Sequence, residues 1–274
     1  MAIIWKIISM SSVLLFIGMI PTCAETCGAN DNIKALVIAD VQNANRWPGW
    51  SEIPFFAIER DDLAGDIIAM QYSAKTSALK RGEPGLPVPF VPMRVFEVSN
   101  DGDLVENAKI VRHSALTDDS MIWRVAYNCL TKQVFHLYGF TDSAQGFNEM
   151  MSTMQLVIDS SDLAKDVQYL WVKLMRSPGT DETIRSRHRL LMDFLDNYPT
   201  PDVGENFWAS WSRFSPSLKR SVGQPIARQL KEGFAVTFYI PADVSVQRIE
   251  MKIGPNGSID SLAEKSVANW PVKR

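Results

Sequence analysis

Polar and apolar residues alternate most cleanly over residues 121–129. Met121, Trp123, Val125, Tyr127 and Cys129 fall on one face at period two, with Arg124 and Asn128 on the other, which predicts a strand. Thr131 and Lys132 then turn the chain into a second strand over 134–140, giving an antiparallel hairpin. Upstream, an apolar-rich stretch at 33–41 and runs at 66–72, 93–98 and 106–113 are separated by the Gly/Pro-rich segment 81–92 and the turn Asn100-Asp101-Gly102. Residues 33–140 read mainly as strands of a β-meander.

The period changes between Asn148 and Tyr198. Behind Asp181-Glu182, the residues Ile184, His188, Leu191, Phe194 and Leu195 recur at helical spacing until Pro199 and Pro201 stop them. Ser215-Pro216 then supplies an N-cap and a first-turn proline, and Leu218, Val222, Ile226 and Leu230 repeat every four residues up to Gly233. Val236, Phe238 and Ile240 alternate with Thr237 and Tyr239, and a second strand spans 246–253. After Pro255-Asn256-Gly257-Ser258, one helical stripe holds Ile259, Leu262, Ala263, Ser266, Val267 and Trp270. The expected fold is α+β: a leader at 1–24, an N-terminal antiparallel β-rich domain at 25–147, a helical connector at 148–199 and a small C-terminal helix-strand-strand-helix module within 200–274.

The leader follows from Lys6, the apolar run 7–20, Pro21 and the small pair Thr22 and Ala24, the pattern of a secretory signal peptide. A membrane span needs about 20 apolar residues, so cleavage after Ala24 is expected rather than retention as an anchor, with no stable transmembrane segment left. The expected location is the periplasm or the cell exterior. With 28 Lys+Arg against 31 Asp+Glu, a net charge of -3 and 46% hydrophobic residues, the composition is that of a globular protein and gives no reason to expect a nucleic-acid partner. Removing the leader leaves Cys27 and Cys129, and two thiols in an oxidising compartment are expected to pair as a disulfide. A reactive thiol would want a nearby His or a Cys-x-x-Cys context, and Cys129 has neither.

Two stretches resemble known families. The run Trp123-Arg124-Val125-Ala126-Tyr127-Asn128-Cys129, the following strand and Thr141-Asp142-Ser143-Ala144-Gln145-Gly146 are similar to the surface-adhesin E-like family of bacterial envelope proteins. The run from Gly233 to Ile240, the strand 246–253, and Ile259-Asp260-Ser261-Leu262-Ala263 leading to Trp270-Pro271 resemble the C-terminal module of the TonB/TolA family. In the second case Pro241-Ala242-Asp243 replaces the family's usual Asp-x-x-Gly hairpin. The resemblance implies a small interaction domain that pairs strands with an extended partner. Its expected interaction edge carries Thr237, Tyr239 and Gln247, with Trp270 as a structural anchor against the sheet.

Catalytic patterns are few. Ser77-Ala78-Leu79-Lys80 fits the Ser-x-x-Lys of penicillin-binding enzymes, but no Lys-Thr-Gly follows. His113, His136 and His188 stand far apart without His-Glu-x-x-His or Gly-x-Ser-x-Gly, so no metal, cofactor or triad chemistry is expected. Trp47, Trp50, Phe207, Trp208, Trp211 and Phe214 are spaced for packing more than for stacking on glycans. The expectation is therefore an exported, non-catalytic bacterial cell-envelope protein that binds an envelope protein or peptide. The alternative is a periplasmic hydrolase without a linear motif.

Overall fold

The computed structural model describes residues 27, 30–45, 54–80, 90–100, 122–176, 224–241 and 245–269. Helix α1 (Asn30–Asn45) forms because Ile33, Val37 and Val41 recur four apart and bury one stripe. The same period builds α2 (Asp61–Lys80), in which Leu63, Ile67, Met70 and Ala74 face inward and Asp61 and Asp62 sit at the positive end of the helix dipole. Residues 33–41 and 66–72 are thus helical rather than part of a strand meander. Their short apolar runs fit either period, and the helix prevails because it gathers the large side chains on one side. The expected strand at 106–113 and the helical stretch 181–199 lie outside the described residues, as does the expected boundary near 200.

Strands β1 (Phe56–Glu59), β2 (Met93–Ser99), β3 (Ile122–Asn128) and β4 (Val134–Tyr138) form a four-stranded antiparallel sheet in that spatial order. The strands expected over 93–98, 121–129 and 134–140 are present. β2 and β3 are buried at every position, so both sheet faces are covered. Phe96, Val98, Trp123, Val125 and Tyr127 lie under α1, while Met93, Val95 and Ala126 face helices on the opposite side. A disulfide joins Cys27 to Cys129 across a sequence separation of 102 residues, with a Cα–Cα distance of 4.9 Å, and ties the chain ahead of α1 to the turn after β3.

Helices α3 (Ser143–Thr153) and α4 (Ser161–Met175) follow. The Ser160 hydroxyl caps α4 by accepting the Leu163 N–H at 3.3 Å. Leu163, Val167, Leu170, Trp171 and Leu174 are buried on several sides of α4, because this helix is packed between two sheets.

The second sheet holds β5 (Ile226–Gln229), β6 (Phe234–Pro241), β7 (Ser245–Ile253) and β8 (Ile259–Asn269), antiparallel and in chain order. The C-terminal module is therefore a four-stranded sheet, which corrects the helix-strand-strand-helix expectation and the topology implied by the TonB/TolA resemblance. Two local causes decide it. Gly257, at φ +84°, lies in the turn between β7 and β8 and folds the chain back onto β7, where the backbone ladder outweighs a stripe whose Leu262 and Val267 stay exposed. At the other end, Pro225 is unfavourable inside a helix but tolerated just before an edge strand, and Ile226 is 66% exposed. Gly233, at φ +76°, closes the β5–β6 turn where an added Cβ would lie 2.0 Å from the Ile253 carbonyl oxygen. Leu218 and Val222 of the expected first helix lie outside the described residues, and so does Trp270.

Between the first sheet and the helices sits a buried charge network. Glu97 of β2 lies directly opposite Arg124 of β3. The Arg124 Nε donates to Glu97 Oε1 at 3.0 Å, a second guanidinium nitrogen donates to the same oxygen, and Arg60 donates to Glu97 Oε2 at 2.7 Å. Arg124 also donates to the carbonyls of Lys173, Leu174 and Arg176 at 2.5, 3.2 and 3.1 Å, so its positive charge caps the C-terminal end of α4. Burial works against the charge on Arg60, but its hydrogen bonds to Asp62 and the field of Glu97 outweigh burial and hold the guanidinium protonated.

Glu97→Ala would leave two guanidinium groups in the interior without their shared counter-charge. We expect a loss of about 3–5 kcal/mol in urea unfolding. A cost below about 1 kcal/mol would mean that water or another acid replaces Glu97. Likewise, Cys27→Ser frees a loop of 102 residues and should cost about 4–5 kcal/mol by the loop-entropy relation, read from the same unfolding curves.

Candidate functional site

The residues of the expected interaction edge lie on the two inner strands of the second sheet. Thr237 on β6 lies between Ile226 and Glu250, and Gln247 on β7 lies between Ile240 and Ser266, so both occupy inner strands. Tyr239 pairs with Arg248 on β7, beyond the end of the short β5. Among the described residues the outer strands are β5 and β8, and β8 is the long one, with 11 residues against 4.

Helices α3 and α4 fix the position of β8. The Asn148 side chain of α3 reads the backbone of Ile259 twice, donating to its carbonyl at 3.1 Å and accepting its N–H at 2.7 Å. From the C-cap of α4, Arg176 donates to Glu264 at 2.6 Å. The Trp171 ring meets Phe238 of β6 edge-on, with centroids 6.4 Å apart, and anchors the sheet two strands in from β8. Residues 260–267 are all exposed, on both faces of the strand. The register with β7 shifts near both ends of β8, between Lys252 and Ile253 and between Val246 and Gln247, leaving 261–266 as a regular stretch. Such irregularities and the charges of Glu264 and Lys265 discourage indiscriminate edge-to-edge pairing.

Of the residues tested for catalysis, Ser77 lies on α2, and its hydroxyl donates to Asp159 Oδ1 at 3.3 Å. Lys75, two residues earlier, has its amine 3.4 Å from the Phe90 ring centroid, and burial pushes its pKa down. The Lys80 side chain, His113, His188 and the aromatic residues Trp47, Trp50, Phe207, Trp208, Trp211 and Phe214 lie outside the description. Among the described residues there is no group of three or more His, Cys, Asp or Glu that could hold a metal. No described helix is long and apolar enough to cross a membrane.

His136 joins parts of the chain that no linear pattern connects. Its Nε2 lies 2.8 Å from Asp40 of α1, and its Nδ1 lies 3.5 Å from Asp142, just before α3. The ring stacks on Phe140 with centroids 4.1 Å apart. The hydrogen bond to Asp40 raises its pKa above the ordinary 6.5, burial opposes this, and the fields of Asp40 and Asp142 add to the rise. Behind it, Gly146 lets α3 approach β4, since a Cβ there would lie 2.0 Å from the His136 carbonyl oxygen. Sequence reasoning passed over this contact because Asp40 is 96 positions away. The missed strand β8 did carry a signal, the Asn256-Gly257 pair typical of hairpins.

No family model matches the chain, and no curated protein or solved structure matches it either. The arrangement has to be interpreted from its own geometry.

A raised histidine pKa gives a definite sign to pH dependence. Protonated His136 ties α1 to β4, so its contribution is complete below about pH 6.5 and is lost as pH rises through the higher folded value. His136→Gln should therefore destabilise the protein more at pH 5.5 than at pH 8.5. Thermal unfolding at the two pH values checks this, and an equal cost at both would show that His136 is held neutral.

Proposed function

We propose that the protein is an exported, non-catalytic interaction protein of the bacterial cell envelope, taking an extended peptide of an envelope protein along β8. The observation that carries this reading is the outer side of β8. Among the described residues it pairs with β7 alone, its stretch 261–265 is exposed, and α3 and α4 hold it in place before any partner arrives. A preformed strand edge offers backbone donors and acceptors to a peptide without first ordering the receptor. The leader-like residues 1–24, the Cys27–Cys129 disulfide and the resemblance of the β3–β4 hairpin to surface-adhesin E-like proteins support the envelope location.

A second copy is a poor occupant. Full overlap of two β8 strands about a two-fold axis sets Glu264 against Glu264, or, one residue away, Lys265 against Lys265. A peptide with an acidic residue opposite Lys265 has no such conflict.

Successive residues of a strand point their N–H groups to opposite sides, so of Leu262→Pro and Ala263→Pro one removes an outward donor and the other a ladder bond to β7. We expect short peptides selected from a displayed random library to bind the native protein. The proline variant that keeps native circular dichroism and melting temperature should lose at least ~10-fold in affinity, one lost charge-free hydrogen bond plus a steric block. Unchanged binding by that folded variant, or failure of the library to yield a binder, would refute strand pairing.

A further inference from the structure

The outer face of the second sheet carries a charge pattern at odds with the chain as a whole. Phe234, Val236 and Phe238 of β6 and Ile249, Met251 and Ile253 of β7 turn inward to the core. The alternation therefore sets Arg228 of β5, Arg248 and Lys252 of β7, and Lys265 of β8 on the opposite, outward face. Glu250 is the one carboxylate among the described residues of these strands that shares it, and it lies 3.6 Å from Arg248 with both groups well exposed. In a chain of net charge -3 this face is positive.

The placement includes a repulsion. Arg248 and Lys265 are direct cross-strand partners, which sets their Cβ atoms about 5 Å apart, and like charges so placed weaken a sheet. Neither folding nor solubility calls for that pair, whereas an anion lying over the face would relieve it. The sheet's other surface is occupied by α3 and α4, whereas Arg228, Lys252 and Lys265 are exposed and Arg248 is half-exposed. The face also carries the buried Ala235 and Val246, Thr237, half-buried Tyr239 and, at the β5 margin, the exposed Ile226.

We propose that this face docks on the phosphate headgroups of an anionic phospholipid bilayer. The four cations are spread over the plane of a sheet rather than aligned along a groove, which matches an extended anionic surface better than a single polyanion strand. Tyr239 and Ile226 are an amphipathic and an apolar side chain of the kind that settle at the headgroup level. Single-stranded nucleic acid would call for a row of stacking aromatics, and Tyr239 is the one aromatic on this face among the described residues. This face shares Lys265 with the proposed peptide edge, but the edge offers backbone donors and acceptors and the face offers side-chain charge, so vesicle binding and peptide binding are tested separately.

The test is co-sedimentation of the full chain with phosphatidylcholine vesicles, with and without phosphatidylglycerol. We expect binding to the anionic vesicles alone, weakening as salt is raised. Each cation near such a surface contributes roughly a fivefold factor, so Arg248→Gln with Lys265→Gln should weaken binding about 25-fold. Both side chains are exposed or half-exposed, and removing the repulsion should leave the melting temperature equal or higher. Lys165→Gln on α4 makes a charge change away from this face and should bind as the native protein does. Equal binding to both vesicle types, no binding to either, or a double variant that binds like the native protein would overturn the proposal. Tight binding to heparin or DNA without vesicle binding would also overturn it, in favour of a soluble polyanion.

Discussion

One carboxylate, Glu97, fully enclosed between two arginines, is the constraint on which the layered arrangement turns. It serves Arg60 at the entrance to α2 and Arg124 in the middle of the first sheet, and Arg124 in turn holds the last carbonyls of α4. A charge this deep is tolerated only where all three groups meet in one geometry. Apolar packing alone would leave α2 and α4 free to slide over the sheet, since such contacts are non-directional. The network fixes their register, and α4 then presents Trp171 and Arg176 to the second sheet. A salt bridge from Lys173 to Asp66, at 2.5 Å, joins the two helices at the same end.

What the sequence revealed and what it hid follow from the range of the forces involved. The β3–β4 hairpin was legible because alternation and a tight turn are local, and the cysteine pair because there were few thiols to choose from. The helices at 33–41 and 66–72 were hidden by short runs that satisfy two periods at once. At the C-terminus, six residues with helical spacing masked an Asn-Gly turn that commits the chain to a strand. Arg124 and Asn128 read as the polar side of a half-exposed strand, yet both are buried. The partners of Arg124 lie up to 52 positions away, where no window along the chain contains them, while Asn128 accepts the N–H groups of Leu130 and Thr131 in the turn that follows it.

The candidate sites differ in the same respect. Pattern reasoning put the open edge on β6 and β7, because the helical stripe over 259–270 leaves them as the module's two strands where β8 in fact forms a further one. With β5 beside Thr237 and β8 beside Gln247, both become interior ladder positions and the outer backbone lies one strand further out on either side. The basic outer face was invisible in a net charge, since opposite charges elsewhere conceal it, and it emerges only once cross-strand neighbours are known.

The second sheet has an implication for how the molecule is made. β5 to β8 follow one another in space as they do in the chain, so every pairing is between neighbours and closes quickly. Sheet formation therefore need not wait for the rest of the protein, but burial does. Phe234, Val236, Phe238 and Met251 have no apolar surface to meet until α3 and α4 are seated, and α4 is seated by a network reaching back to Arg60. A molecule caught between these two events would carry a finished sheet with a greasy side open to solvent, the form most in need of a chaperone and most prone to aggregate without one.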